Sequence, residues 1–365
     1  MRILRNYILK EFFGFFFISL GLFTFVMFIG NLVKIINLII GKGIEILAVF
    51  KLFGYLIPYL LTYTLPIAIL SAILLLLGRL SSDNEIIGIQ ASGINIIYIT
   101  VPLLIVSLIF ALFLLILNDR IIPSNHFAFY KAVKDIGIRN PAAFLEPGVF
   151  INNFDKYIIF IYHIEGNKLF NIRIYEPQSL DKIPRTIIAK RGEFISLPEK
   201  SMIKLKLIDG TSDEPDPDNP ENFYKLNFKT YFINLNLTKE SYSEEPKKKP
   251  KDMNIKELKV EIEKTKRMGI EPLPLITHLH KRIALSFSSF VFVLIGIPLG
   301  LIARRKERTI NFALTFLIIG IYYLSLLGCE TLSIEGFIKP EIGIWLPNIA
   351  FIVVGILLFY RVCGY

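Results

Sequence analysis

The chain has 365 residues, of which 53% are hydrophobic and only 20% are charged, and its mean hydropathy is +0.54. This balance excludes a water-soluble globular domain, because a single core cannot bury so much apolar surface. A net charge of +10 is compatible with nucleic-acid binding, but basic residues flanking membrane helices explain it more simply. Cys329 and Cys363 lie at opposite ends of predicted spans, so we expect a fold without disulfides.

Six uncharged apolar runs predict six transmembrane helices. Each run approaches or exceeds the ~20 residues that cross a hydrocarbon layer of ~30 Å. The first run exceeds the ~7–15 residues of a signal-peptide core and no small-x-small cleavage site follows it, so we interpret it as a retained helix. The runs are Phe12–Val33, Leu52–Gly78, Ile94–Leu117, Ile283–Ala303, Thr309–Cys329 and Ile342–Tyr360.

Basic residues near the ends of these runs predict the orientation. The larger group marks the cytoplasmic side, which places both termini and the Gly78–Asn95 loop there and the long segment after the third span outside. The larger group is Arg2, Arg5, Lys10, Arg79, Arg304, Arg305, Lys306, Arg308 and Arg361. The opposite group, partly offset by Glu45, Glu335 and Glu341, is Lys34, Lys42, Lys51 and Lys339.

Residues 1–117 are predicted to form the first three spans. Gly78 to Asn95 is the longest polar interruption in this region, and within it Asp83 and Glu85 precede the apolar group Ile86, Ile87 and Ile89. This pattern predicts a short amphipathic helix near residues 79–94 that lies against another surface on the cytoplasmic side. Prolines within the second and third runs favour kinks there. These prolines are Pro58, Pro66 and Pro102.

Residues 118–281 are predicted to form a β-domain outside the membrane and its return linker. Apolar and polar residues alternate along several short segments without intervening helices, which favours a β-sandwich or jelly-roll-like domain. We predict a turn at Asp209-Gly210, a loop at Ser212–Asn222 and a short amphipathic helix at Ile255–Met268. The predicted strands are Tyr157–Ile164, Leu169–Tyr175, Thr186–Leu197, Ser201–Ile208 and Phe223–Leu237.

Residues 282–365 are predicted to form three further spans. The first of them contains Gly296-Ile-Pro298-Leu-Gly300 and ends on the basic run ARRKER, so a kinked helix entering a polar cytoplasmic loop occurs in both halves. The predicted fold is therefore a membrane α-helical bundle of six transmembrane helices in a 3+3 arrangement, with an inserted β-jelly-roll-like domain outside the membrane, which the resemblance described next implies is periplasmic.

Four motifs in order along the chain carry a resemblance to a known family. They are Arg5-Asn-Tyr-Ile-Leu-Lys-Glu at the start, GRLSSDNE followed by ASG in the polar loop, AKRGEF in the β-rich segment, and HKRIALSF with GIPLGL at the fourth span. With these motifs, the order of elements resembles the LptF/LptG family of lipopolysaccharide-export permeases of Gram-negative bacteria over essentially the whole chain. The opening RILRNYILKEF is slightly more similar to LptG.

The resemblance implies the transmembrane subunit of an ABC-type exporter in the bacterial inner membrane. The implied partners are a second six-span permease of the family, an ABC ATPase dimer similar to LptB and a periplasmic jelly-roll bridge similar to LptC and LptA. Lipopolysaccharide is the implied cargo, and its expected gate lies between the first span of one permease and the fifth of the other. ATP would be bound by the partner, so no cofactor is expected on this chain.

The resemblance also implies roles for particular residues. Glu85 is expected to contact a groove on the ATPase, because a carboxylate on a short helix can pair with an arginine there. The alternative is a solvated charge that the helix dipole favours. The predicted coupling residues are Glu85, Asp83, Arg79, Ile86 and Ile89.

Four basic residues at the opposite side of the membrane are predicted to bind lipid. Lys34 lies about 33 Å of helix from Phe12, near the external boundary, where an ammonium can hold a lipid A phosphate or merely snorkel to the interface. Lys42 follows in a short external loop. Lys281 and Arg282 either anchor the fourth span or meet anionic head groups. His278 and His280 have too few neighbouring ligands to predict a metal site.

The chemistry that the sequence lacks narrows its function. It contains no GxxxxGK[ST] motif and no Ser-His-Asp or paired-carboxylate pattern, so we expect a transporter subunit rather than an enzyme, with ATP hydrolysis on another chain. A secondary transporter is disfavoured because the predicted spans hold almost no ionisable residues. A membrane-anchored periplasmic binding or scaffold protein is the alternative, although a scaffold has no need of the polar loop at Gly78–Asn95.

Overall fold

The computed structural model describes most of the chain as two compact units. The described residues are 2–40, 46–139, 147–154, 157–166, 168–176, 185–197, 202–215, 223–235, 248–302 and 308–363. Within these ranges, one unit is drawn from Met1–Asn31, Tyr55–Phe127 and Lys249–Tyr365, and the other from Leu32–Gly54 and Ala128–Lys248. The first unit is helical, and the second contains the β-sheet.

Helices account for both ends of the chain. The fourth helix continues through a π-helical segment, Leu117–Ile121, into the fifth, and a short 3₁₀ turn, Pro250–Asp252, precedes the sixth. The helices are α1 (Arg2–Ile40), α2 (Ile46–Ser82), α3 (Glu85–Ala91), α4 (Ile97–Ile116), α5 (Ile122–Arg139), α6 (Ile255–Arg267), α7 (Leu273–Ile302), α8 (Arg308–Ile334), α9 (Pro340–Gly343) and α10 (Leu346–Cys363).

Six helices of the described chain are long and apolar enough to cross a membrane, which confirms the six predicted spans. α7 begins at Leu273, before the predicted start at Ile283, because the polar residues that precede Ile283 continue the same helix. The predicted amphipathic helix at Ile255–Met268 is also confirmed as α6. The candidate spans are Arg2–Gly30, Phe50–Ser82, Ile97–Val133, Leu273–Ile302, Asn311–Ile334 and Pro340–Val362.

α2 forms the centre of the helical unit. Its most apolar stretch is 89% buried, whereas the corresponding stretches of α1 and α8 are only 22% buried. Two glycines of α7 allow close contact with α2, because a Cβ at Gly300 would lie 2.9 Å from the Leu77 Cβ and one at Gly296 would lie 3.0 Å from the Leu70 Cδ1. The GIPLG motif is therefore a packing site for a neighbouring helix.

The second unit contains one six-stranded antiparallel sheet. Each strand pairs with the next along the chain, in the order β1 to β6, and the buried face carries apolar residues such as Ile159, Ile172 and Leu205. An inserted β-domain is thus confirmed, while its jelly-roll arrangement stays a prediction. The strands are β1 (Phe150–Phe154), β2 (Tyr157–Glu165), β3 (Lys168–Glu176), β4 (Arg185–Leu197), β5 (Met202–Pro215) and β6 (Phe223–Leu235).

Strand β5 corrects two predictions. Asp209-Gly210 is not a turn but lies within the strand, with Asp209 in the left-handed region at φ 56°, and Ser212–Pro215 is strand rather than loop. Residues 216–222 of the predicted loop lie outside the described residues. A Cβ at Gly210 would meet the Ile188 carbonyl oxygen and the Phe228 ring, so close packing, not a chain reversal, requires glycine here.

The left-handed residue in β5 belongs to a row that crosses the sheet. Asn171 of β3 is also left-handed, at φ 52°. Between each pair of neighbouring strands from β2 to β6, the regular pairing is interrupted at one residue of each strand, and these residues lie side by side across the sheet. On β5 the residues on the buried face consequently have odd numbers before the interruption, as at Leu207, and even numbers after it, as at Ser212. The row comprises Tyr162, Asn171, Lys190, Asp209 and Lys229. It keeps apolar residues on one face although the alternation in sequence is broken.

Candidate functional site

The predicted polar loop between the second and third spans forms a compact helical junction. α2 continues to Ser82, whose hydroxyl donates to the Gly78 carbonyl oxygen at 2.8 Å, and α3 begins three residues later at Glu85. Asn84 between them has the left-handed backbone, at φ 59°, that lets the chain start a new helix. The short helix near residues 79–94 is therefore present as α3.

The apolar residues of α3 do not all face the same way. Ile86 is buried in the same core cluster as Ile8 and Phe12 of α1, and Ile89 packs against that cluster. Ile87 is 52% exposed. Ile86 and Ile89, which we predicted to be coupling residues, thus pack α3 against the rest of the chain, whereas Ile87 faces outward.

Arg79, in the last turn of α2, connects three elements. Its Nη1 lies 3.2 Å from the Glu11 Oε1 of α1, and its Nη2 lies 3.3 Å from the Glu85 Oε1 of α3. Nη2 also donates to the Tyr7 hydroxyl at 2.5 Å, and that hydroxyl lies 3.2 and 3.1 Å from the two Glu85 carboxylate oxygens. We call Tyr7, Glu11, Arg79 and Glu85 the Arg79 cluster.

The Arg79 cluster joins one cation to two carboxylates at the edge of the bundle. The side chains of Arg79 and Glu11 are each 28% exposed and that of Glu85 is 33% exposed, so water screens these pairs only in part. The Arg79 Nε is buried and has no hydrogen-bond partner among the described residues. The hydrogen bonds and ion pairs of the guanidinium within the described residues are therefore all made by its two Nη atoms.

Sequence reasoning found Arg79 and Glu85 but missed Tyr7 and Glu11. A signal for them exists, because Tyr7 and Glu11 are four residues apart and so share one face of α1. What the sequence does not contain is the rotation of α1 about its axis, which decides whether that face meets α2. Asp83, the remaining predicted coupling residue, is exposed beside the cluster.

The predicted lipid-binding residues divide into two groups. Lys34 lies in α1, but its side chain, like the whole of Lys42, is outside the described part of the chain. Lys281 Nζ lies 2.6 Å from the Glu330 Oε2, with side chains 23% and 14% exposed. The ion pair of Lys281 with Glu330 is the contact expected of a residue that anchors its helix. Lipid binding by the four basic residues stays a prediction.

Arg282 forms hydrogen bonds with the backbone of the segment that precedes α6. Its guanidinium donates to the backbone carbonyl oxygens of Pro250 at 2.9 Å, Lys251 at 3.1 Å and Met253. Next to these hydrogen bonds, the amide N of Ile255 donates to the Asp119 Oδ1 at 2.8 Å. Arg282 and Asp119 thus fix the start of α6 to the neighbouring helices.

Replacing Arg282 with leucine is expected to loosen the start of α6. The variant leaves three carbonyl oxygens without their charged donor, and hydrogen bonds to charged groups contribute about 1.5–3 kcal/mol. Backbone amides of residues 250–258 should exchange at least about tenfold faster in hydrogen–deuterium exchange mass spectrometry. Arg267→Leu, at the exposed end of α6, is the matched control and should leave this exchange unchanged. Equal exchange in both variants would show that Arg282 does not hold the segment.

Six membrane-crossing helices, an inserted antiparallel sheet and a polar helical junction define the class as a multi-pass membrane protein with an inserted β-domain. The chain matches the family described as lipopolysaccharide export system permease LptF/LptG over residues 6–361. Because the match covers nearly the whole chain, the protein belongs to the LptF/LptG family of permeases.

A curated relative adds a second comparison. The chain is 26% identical over 193 residues to the uncharacterized protein RP871 of Rickettsia prowazekii (strain Madrid E). The matched stretch spans 53% of this chain and 53% of that relative, so it extends over about half of each protein.

Proposed function

We propose that the protein is the transmembrane permease subunit of an ABC-type complex that extracts lipopolysaccharide from the inner membrane and passes it to a periplasmic bridge. The observation that carries this proposal is the family match over residues 6–361. In this proposal a second six-span permease of the family completes the transport path. An ATPase dimer drives it, since the sequence itself has no nucleotide-binding motif.

The proposed contact with the ATPase is the exposed side of α3. Glu85 is one-third exposed and Ile87 is half exposed, so a charged and an apolar side chain are accessible on opposite flanks of this short helix. This combination suits a groove that holds an arginine beside apolar residues. The charge bias supports a cytoplasmic location for α3 and for both termini, with the β-domain in the periplasm.

The proposed lipid contacts are basic residues near the external boundary, with Lys34 and Lys42 as the principal candidates. We expect Lys34→Asp to weaken lipopolysaccharide binding about tenfold, because a carboxylate repels the phosphate that the ammonium would hold. The measurement is photo-crosslinking or affinity for lipopolysaccharide in detergent. Lys51→Asp, an exposed lysine on the same predicted side, is the control. Unchanged binding by Lys34→Asp would favour simple snorkelling.

Co-purification from membranes tests the proposed function. The affinity-tagged chain, purified from membranes in detergent, is expected to recover an ATPase and a second six-span protein. The complex should hydrolyse ATP faster when lipopolysaccharide is added. A chain that purifies alone and supports no lipid-stimulated hydrolysis would contradict the proposal and favour the scaffold alternative.

A further inference from the structure

The Arg79 guanidinium holds two carboxylates that belong to different elements. Glu11 is on α1 and Glu85 is on α3, and the two Nη atoms of one planar fork each reach one of them. Two opposing carboxylates outnumber the single cation, so the cluster carries a net charge of about −1 at neutral pH. The cluster can therefore accept a second cation, which would compete with Arg79 for one of the carboxylates.

Tyr7 adds a second contact between Arg79 and α1. Its hydroxyl accepts from Arg79 and lies next to both Glu85 oxygens, so it bridges α1 to α3 in the present arrangement. If a cation from a partner binds Glu85, the remaining contacts of Arg79 are Glu11 and the Tyr7 oxygen, which both lie on α1. The position of α1 relative to the end of α2 then depends on whether Glu85 is occupied.

The apolar packing next to the Arg79 cluster does not depend on its polar contacts. Ile8 and Phe12 of α1, Leu80 of α2 and Ile86 of α3 share one buried apolar cluster. This cluster holds the three elements together whether or not the polar groups above it are paired. Loss of one polar group should thus alter the coupling between the helices and leave the bundle folded.

We propose that Arg79 is a positioning residue that couples α3 to the first span, so that occupation of Glu85 by an ATPase residue leaves Arg79 with its contacts to Glu11 and Tyr7 on α1 and shifts the start of α1. The inference rests on the proposed function, because it needs a partner cation at Glu85. It adds to that function an internal route from the ATPase contact to α1, which is among the most exposed spans of the bundle.

The first test separates docking from transmission in the assembled complex. Arg79→Gln and Glu11→Gln each remove the contact between Arg79 and Glu11 and leave the Glu85 carboxylate in place. We expect each variant to recover the ATPase within twofold of the unmodified complex, while lipopolysaccharide-stimulated ATP hydrolysis in proteoliposomes falls at least tenfold. Arg79→Lys keeps a cation for one carboxylate and should retain an intermediate response. Arg361→Gln, at the exposed end of α10, is the control and should retain the full response.

The second test needs no partner. Glu11 contacts Arg79, which contacts Glu85 of α3, so a relay predicts that Glu11→Gln on α1 accelerates amide exchange of residues 85–92 several-fold. The same increase in Arg79→Gln, with no further increase in the double variant, is the expected signature. The experiment uses hydrogen–deuterium exchange of the full chain in detergent.

Three outcomes would overturn the relay. Normal stimulated hydrolysis in both glutamine variants would show that the cluster transmits nothing. Loss of the ATPase from Arg79→Gln would make Arg79 part of the docking surface instead. Unchanged α3 exchange in Glu11→Gln would show that Glu11 does not act on α3 through Arg79. If the unmodified chain binds no ATPase, the proposed function fails, and the exchange measurement still decides whether α1 and α3 are coupled.

Discussion

Replacing Glu85 with lysine is expected to abolish co-purification of the ATPase. The substitution puts an ammonium beside Arg79 and in the position where a partner arginine would meet a carboxylate. Loss of one member of a desolvated charge pair across an interface costs about 2–5 kcal/mol, which weakens the contact about 30-fold or more. Recovery of the ATPase on the affinity-tagged chain, measured by quantitative gel or mass spectrometry, gives the result.

Controls distinguish this loss from general damage. Glu335→Lys reverses an exposed charge beyond the end of α8, on the side predicted to be external, and should leave recovery of the ATPase unchanged. Ile87→Ser tests the exposed apolar contact on α3 and should weaken recovery less than Glu85→Lys, because it removes one side chain and adds no repulsion. Normal recovery of the ATPase with Glu85→Lys would exclude Glu85 as the contact.

Replacing Gly300 with leucine is expected to prevent a stable helical bundle. A Cβ at this position would already lie 2.9 Å from the Leu77 Cβ, an atom close to the α2 backbone that cannot rotate away. Overpacking of this kind costs about 1–3 kcal/mol for small additions, and a leucine adds three carbons beyond the Cβ. We expect the detergent-purified protein to aggregate, with at least a tenfold loss of the monodisperse peak in size-exclusion chromatography.

Gly320 provides the matched control for this prediction. It is also a glycine within a membrane-crossing helix, α8, but a Cβ there would meet no atom within 4 Å in the described chain. Gly320→Leu should therefore purify like the unmodified protein. Similar behaviour of both variants would show that the contact between α2 and α7 tolerates separation, and it would exclude GIPLG as a packing site.

The helical architecture follows from local sequence because a bilayer imposes a length. Each span is an uncharged run, and backbone groups in hydrocarbon must be satisfied within the helix, so composition alone identifies the spans. α6 is also a local structure. Asn254 accepts from the Glu257 amide, and the Glu257 carboxylate accepts from the Asn254 amide in return, which fixes its first turn.

The β-domain was predicted less completely for a physical reason. Asp209-Gly210 has the composition of a turn, and local preference alone cannot distinguish a turn from a left-handed residue inside a long strand. The distinction depends on the neighbours, since regular pairing with β4 and β6 continues on both sides of Asp209. β1, Phe150–Phe154, was missed because a five-residue strand carries too short an alternation to recognise.

The candidate site shows the same division. The sequence by itself determined the six spans, the polar junction after the second, and the family to which the protein belongs. Only the tertiary structure decided that Arg79 meets Glu11, which is 68 residues away, and that Ile86 points inward while Ile87 points outward. Helix formation is local, whereas the rotation of each helix about its axis is set by packing against its neighbours. The position of Glu85 on a short helix was therefore predictable from the sequence. Its contacts with Tyr7 and Arg79 were not.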